Sequence, residues 1–280
     1  MTRATRIATA FAIGLMPSAL FWAVNAATTD GGNKLEGLIA ALAIFGAPLA
    51  IASALVVDRS ASVARGRDAS ERLLALATAG LRGPRHEWGV AMRAELASID
   101  TPHERHRFAT GCAVVALRAG TGWGPWLVAV GTGVVFAVGT YAASRAALAG
   151  GREGIFGDTL FVPAAVLFGL ALVTTLVRRS FRSGLVTGTL ALVAGLGGML
   201  GVAMVEAAHW YDVAGVYLMD GDAPNEGLDR LDAVLDPVAP TFVAFHLMIW
   251  LPWPVLGASA GSWLRRHTDR QAAPAASLTA

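Results

Sequence analysis

Cysteine occurs once in this chain, at Cys112. A single cysteine permits no internal disulfide and no zinc site built from thiolates. Lysine also occurs once, at Lys34, against 21 arginines. Charge is scarce altogether: Asp, Glu, Lys and Arg make up 15% of 280 residues, against about 25% in a soluble domain. Segments of alternating hydrophobicity about ten residues long are missing, which excludes a transmembrane β-barrel. No HExxH pair, phosphate-binding glycine loop or Gly-x-Ser-x-Gly elbow is present, which excludes a zincin, a P-loop ATPase and an α/β-hydrolase.

What the chain has instead is apolar length. Hydrophobic residues reach 55% and the mean hydropathy is +0.54. The apolar residues come in runs near the ~20 residues that cross a ~30 Å hydrocarbon layer. Inside lipid each span must satisfy its own backbone hydrogen bonds, so helices are expected. The reading is an all-α polytopic membrane protein with six transmembrane helices, at 7–27, 37–57, 126–148, 160–177, 185–207 and 242–264. Four segments follow: 1–57 with the first two helices, a cytoplasmic amphipathic helical segment at 58–125, four helices over 126–264 with an acidic outer loop at 208–241, and a disordered cytoplasmic tail at 265–280. The first run has a second reading as a signal peptide cleaved after Ala26, because a basic start precedes it and small residues follow.

Arginine sets the orientation. With a cytoplasmic N-terminus, 18 of the 22 basic residues fall in cytoplasmic pieces and three, Lys34, Arg152 and Arg230, fall outside. Acids run the other way, eight inside and eleven outside. Both termini are therefore expected in the cytoplasm. Arg145 lies near the outer end of the third span, where it can snorkel to water. Trp123, Trp126, Trp210 and Trp263 sit at span borders, as interfacial tryptophans do. Small residues recur at every fourth position, at Ala129/Gly133/Ala137, Gly184/Gly188, Ala194/Gly198 and Gly197/Gly201. Such spacing lets helix backbones approach closely, either within one bundle or across a homo-oligomer. Pro252 and Pro254 in the sixth span predict a kink.

The segment 58–125 is the exception to the apolar trend. Three short helices are expected in it. The first is Ser70–Leu81, with Ser70 as its cap. The second starts at Pro84 and carries Trp88, Ala91, Met92, Leu96 and Ile99 at spacings of three and four, an amphipathic pattern. The third starts with Thr101 at the cap, Pro102 at the first helical position and Glu104 placed for a capping box. Phe108, Cys112 and Val115 form its apolar side. Trp88, Met92, Leu96 and Phe108 are the candidate docking residues. Their stripe calls for a partner surface: the bilayer, the protein's own bundle, or another cytosolic or membrane protein. With ten basic and seven acidic residues over 58–125, the segment is too balanced for a nucleic-acid surface.

"EWGVAMRAEL" followed by "RFATGC" resembles a W-x-x-A-M-x-x-E-L … F-A-x-G-C pattern of uncharacterised multi-pass inner-membrane proteins of actinobacteria and some proteobacteria. The matching positions are Trp88, Ala91, Met92, Glu95, Leu96, Phe108, Ala109, Gly111 and Cys112. The resemblance covers some thirty residues. It implies a bacterial inner-membrane protein and brings no activity with it. The Phe-x-x-x-His spacing of Phe242 and His246 also matches intramembrane proteases of the CAAX-processing type, but their Glu-Glu pair with its following Arg is missing.

One polar group stands on the outer side. Glu206 and His209 share a helix face, and His246 falls at a similar depth in the sixth span. A Glu-x-x-His pair with a third ligand from another helix is a pattern that binds a divalent metal; the bland reading has them capping the span at the water interface. Asp220 and Asp222 look like a calcium loop, but Pro224 and Asn225 occupy positions where an EF-hand needs a ligand and a glycine. "NEGLDRLDAVLDP" reads as an interfacial acidic helix capped by Asn225. No cofactor beyond a divalent metal is implied. Three functions are then open: a non-enzymatic regulatory or docking protein, a small-solute or ion permease, and a metal-dependent membrane hydrolase.

Overall fold

The computed structural model describes residues 3–28, 38–39, 41–63, 68–78, 84–121, 123–150, 156–211 and 229–276. Their regular structure is helical throughout, without strands. Four helical stretches are long and apolar enough to cross a membrane: Trp123–Ala149, Asp158–Arg178, Phe181–Trp210 and Phe242–Thr268. Two shorter apolar stretches, Ala4–Leu20 and Leu42–Asp58, lie in the first helices.

In chain order the helices are α1 (Arg3–Thr28), a π-helical stretch at Leu42–Gly46, and α2 (Ala47–Val63). Then come α3 (Ala69–Thr78), α4 (Pro84–Ala97) and α5 (Pro102–Thr121) in the charged segment. The long helices α6 (Trp123–Ala149), α7 (Phe156–Arg178) and α8 (Phe181–Trp210) follow. A short α9 (Arg230–Leu235) leads to α10 (Pro240–Trp250) and α11 (Pro252–Ala276). The chain is helical over 265–276, so the expected disordered tail is corrected there. Asp229 caps α9 by accepting from the Asp232 amide at 2.9 Å. The expected helix from Asn225 thus begins only at Arg230 among the described residues, since Asn225 lies outside them.

Glycines decide which helices meet. A Cβ on Gly198 would stand 2.3 Å from the Gly133 carbonyl oxygen, and one on Gly133 would stand 2.9 Å from that of Ala194. The small-residue stripes of α6 and α8 therefore face each other within the chain, the close approach expected of helices packing in lipid. Phe136 fills the step beside Gly195. Gly257 lies against Phe168, and Gly188 against Pro254 and Ala171, which brings α11 onto α7 and α8. Gly197 and Gly201 meet nothing within 4 Å. At the other side of the bundle Gly14 on α1 abuts the Ala50 backbone, and α2 packs on α11.

The prolines of "WLPWP" behave as their chemistry demands. Pro252 takes the first position of α11, where its missing N–H costs nothing. Leu251 keeps helical angles and its N–H donates to the Leu247 carbonyl at 2.9 Å, so the rod is interrupted by one residue and not broken. Trp250, completely buried, locks this point. Its indole N–H donates to the Leu160 carbonyl at 3.1 Å, and its ring meets Phe136 edge-on at 5.7 Å.

The turn from α7 to α8 is as tight as a turn can be. Arg179 has φ 51°, the left-handed region. Its amide donates to the Leu176 carbonyl, and the Ser180 amide to that of Thr175. These two bonds make a Schellman closure of α7, and Ser180 at once caps α8 by accepting from the Ser183 amide. A left-handed backbone costs an L-residue other than Gly about 1–2 kcal/mol. The expected result of Arg179→Gly is therefore a gain of about 1 kcal/mol, seen as a higher midpoint of thermal unfolding; a lower midpoint would show that the arginine side chain matters more than its backbone.

Candidate docking groove and buried ion pair

The charged segment folds as a three-helix platform with a core of its own. Leu74, Met92, Leu96 and Ala109 are buried together, with Leu73, Phe108 and Cys112 packed on them. Asp68 and not Ser70 caps α3: its carboxylate accepts from the Glu71 amide at 2.7 Å. Ser70 is buried instead. That amide is the main cause holding the Asp68 carboxyl below its ordinary range, with the Arg105 guanidinium adding to it. At the start of α5 the Thr101 hydroxyl donates to the Glu104 carboxylate at 2.6 Å, so the two capping-box side chains bind each other.

Arg105 joins the three helices. Its guanidinium donates to Asp68 at 2.9 and 2.7 Å and to Glu71 at 3.0 Å. It also donates to the carbonyls of Leu96 at 2.7 Å and Ile99 at 3.0 Å. Those carbonyls belong to the last turn of α4 and the residues just after it, where acceptors lose their helical partners. One planar cation thus ties the acidic first turn of α3 to the C-terminal end of α4, with Nε and Nη2 both donating to the same oxygen, Oδ2, of Asp68. The sequence reading counted Arg105 only among dispersed charges. Its signal was available: Arg105 falls on the same side of α5 as Ala109 and Cys112, and Asp68 and Glu71 stand three apart at the cap and in the first turn of α3.

A groove of about 620 Å³ runs between α4 and α5, lined by Trp88, Met92 and Ile99 on one wall and Phe108, Gly111, Cys112 and Val115 on the other, with Glu104 and Arg107 at one end. Three of the four candidate docking residues, Trp88, Met92 and Phe108, line it. Leu96 does not; it is completely buried and belongs to the platform core. Trp88 is 37% exposed. Gly111 opens onto free space, with nothing within 4 Å of a Cβ placed there. Burial pushes the Cys112 thiol up, so at neutral pH it is a thiol packed in an apolar wall.

The platform is bound to the membrane-spanning bundle by arginine. Arg182, in the first turn of α8, donates to the Ala116 carbonyl at 3.2 Å. Within the bundle, Arg265 on α11 donates to the Arg179 carbonyl in the turn from α7 to α8.

The second polar centre lies at the opposite end of the bundle and differs from the expected trio. Glu206 is buried, and its carboxylate accepts from Arg145 on α6 at 2.8 Å and from Ser144 at 3.3 Å. Arg145 therefore turns inward to an ion pair and does not snorkel outward. Its guanidinium also stands 5.5 Å from the ring centres of both Tyr141 and Trp210, the geometry of a cation over aromatic faces. His209 is exposed and meets Trp210 edge-on at 4.5 Å. His246 is buried among Phe242, Phe245 and Trp250, and its Nδ1–H donates to the Phe242 carbonyl at 3.0 Å. Glu206, His209 and His246 thus have separate neighbours. Among the described residues no three His, Cys, Asp or Glu side chains gather as a metal site would require. Asp212, Asp220 and Asp222 lie outside the described residues.

No protein-family model, curated protein or solved structure matches the chain.

Proposed function

We propose that this is a non-enzymatic regulatory or partner-docking protein of a bacterial inner membrane. In this reading the chain has six spans and both termini in the cytoplasm. The arginine bias supports the orientation. The close approach of Gly14 to Ala50 supports α1 and α2 as two further members of the bundle.

The observation that carries the docking reading is the platform. A bundle that only spans a membrane needs no independently packed three-helix unit with an open apolar groove. The groove residues Trp88, Met92 and Phe108 are the contact surface, and Arg105 is the positioning residue that fixes the walls at their spacing. The unique cysteine makes the test direct. A photo-crosslinker attached at Cys112 in native membranes is expected to capture one protein repeatedly. Gly111→Arg fills the groove at a position with free space, so the platform keeps its fold. That variant is expected to lower capture roughly tenfold, a loss of about 1.4 kcal/mol of binding. Equal capture by both chains would overturn the docking reading, and so would the absence of any protein adduct.

A further inference from the structure

The groove is uniform neither in polarity nor in depth relative to the membrane. Arg105 on α5 reaches the Leu96 and Ile99 carbonyls at the turn, and Met92 shares a core with Ala109. The helices therefore fold back on each other, and Trp88, about two turns before Leu96, belongs to the end of the groove that holds Cys112 and Val115. Glu104 and Arg107 close the other end. The Trp88 end is the one nearest the bundle, on two independent grounds. First, α5 ends at Thr121 and α6 begins at Trp123, and roughly 9 Å of helix rise separates Val115 from that end. Second, Ala116 is within reach of Arg182 in the first turn of α8. With 30 residues α8 is about 45 Å long, which matches a bilayer of roughly 40–45 Å measured through its headgroups. Its first turn therefore lies in the headgroup layer, and so does the Trp88 end of the groove.

Exposed apolar side chains stand on both sides of the junction between α5 and α6. Val114 is 59% and Val115 50% exposed on α5, followed by Trp123 at 84% and Leu127 at 69% on α6. Tryptophan prefers the interface between headgroups and acyl chains.

We infer that the bilayer itself covers the Trp88–Val115 mouth of the groove, with the boundary between headgroups and acyl chains against Trp88, Val114 and Val115. The resting occupant is lipid. The inference goes beyond the docking reading: a partner that reaches the groove displaces lipid from it and approaches along the membrane surface.

The test uses the full chain in nanodiscs of phosphatidylcholine brominated on its acyl chains. The chain has eight tryptophans, so the Trp88 emission is taken as the difference between the unmodified protein and Trp88→Phe. The expected result is quenching of that component by brominated lipid and protection from aqueous iodide. Quenching by iodide without quenching by bromine places the mouth in water and overturns the inference. Protection from both means that protein covers it, a second copy included, and also overturns it. A nitroxide on Val114→Cys in a Cys112→Ser background gives an independent reading: collision with oxygen is expected to exceed collision with a water-soluble nickel chelate, and the reverse order overturns the inference. Capture at Cys112 and quenching at Trp88 are separate readouts, so failure of one reading leaves the other standing.

Discussion

Replacing Arg145 with leucine is expected to destabilise the bundle by about 3–5 kcal/mol, the cost of breaking a buried ion pair from one side. The reason is the residue left behind. Glu206 is 2% exposed, and without Arg145 its carboxylate keeps, among the described residues, only the Ser144 hydroxyl at 3.3 Å. The reverse change is expected to cost less. Arg145 keeps 26% of its side chain exposed, so after Glu206→Leu it can turn to water while resting against Tyr141 and Trp210. The double change to leucine at both positions is expected to recover most of the loss, because a well-packed apolar pair avoids desolvation of either charge. Thermal unfolding of the four chains gives the coupling as a double-mutant cycle. Additive effects, or a larger loss for Glu206→Leu than for Arg145→Leu, would show that the pair does not hold α6 to α8.

The same pair marks where reading a sequence stops. Spacing along one helix assigned Glu206 to His209, three residues away on the same face. The structure assigns it to Arg145, on another helix. A helical periodicity sees only its own helix; the facing helix enters through packing, and packing here was decided by glycines. The stripe Ala129/Gly133/Ala137 and the stripe Ala194/Gly198 were both visible as close-approach surfaces, but small residues do not name their counterpart. One signal could have been used: Arg145 and Glu206 are opposite charges placed inside spans, where ionisable residues pair with one another. The long spans themselves were legible because hydrocarbon thickness imposes a length that few other constraints imitate. Their ends moved outward by a few residues, since Trp123, Phe156 and Phe181 extend helices into the interface where hydropathy alone is uninformative. The choice between Ser70 and Asp68 as the cap of α3 turned on tertiary contact: both residue types cap well, and Asp68 wins because Arg105 holds the same carboxylate.

Leu96→Ala is expected to unfold the platform while leaving the bundle in place. A stripe of apolar residues on an amphipathic helix reads the same whether it faces a partner or its own small core, which is why Leu96 was grouped with Trp88. The two variants now separate those roles. Leu96 is fully buried among Leu74, Met92 and Ala109, so its truncation should cost about 2–5 kcal/mol. A core of this size rarely supplies more than about 3–5 kcal/mol in total, and no disulfide reinforces it. Loss of Leu96 therefore consumes most of the platform's stability. The core around Phe136, Leu167, Leu196 and Trp250 is a different cluster and is expected to remain intact. Limited trypsin digestion reads the difference: cleavage at Arg93 and Arg107 should become fast in Leu96→Ala, while the fragment holding α6 to α8 stays resistant. Trp88→Ala, at a position 37% exposed, should keep the resistance of the unmodified chain and lose only what occupies the groove. If Leu96→Ala digests like the unmodified chain, the platform draws its stability from the bundle through Arg182 and Ala116 and is not a unit in its own right. If Trp88→Ala digests as fast as Leu96→Ala, the groove wall is part of the core and has no surface role to lose.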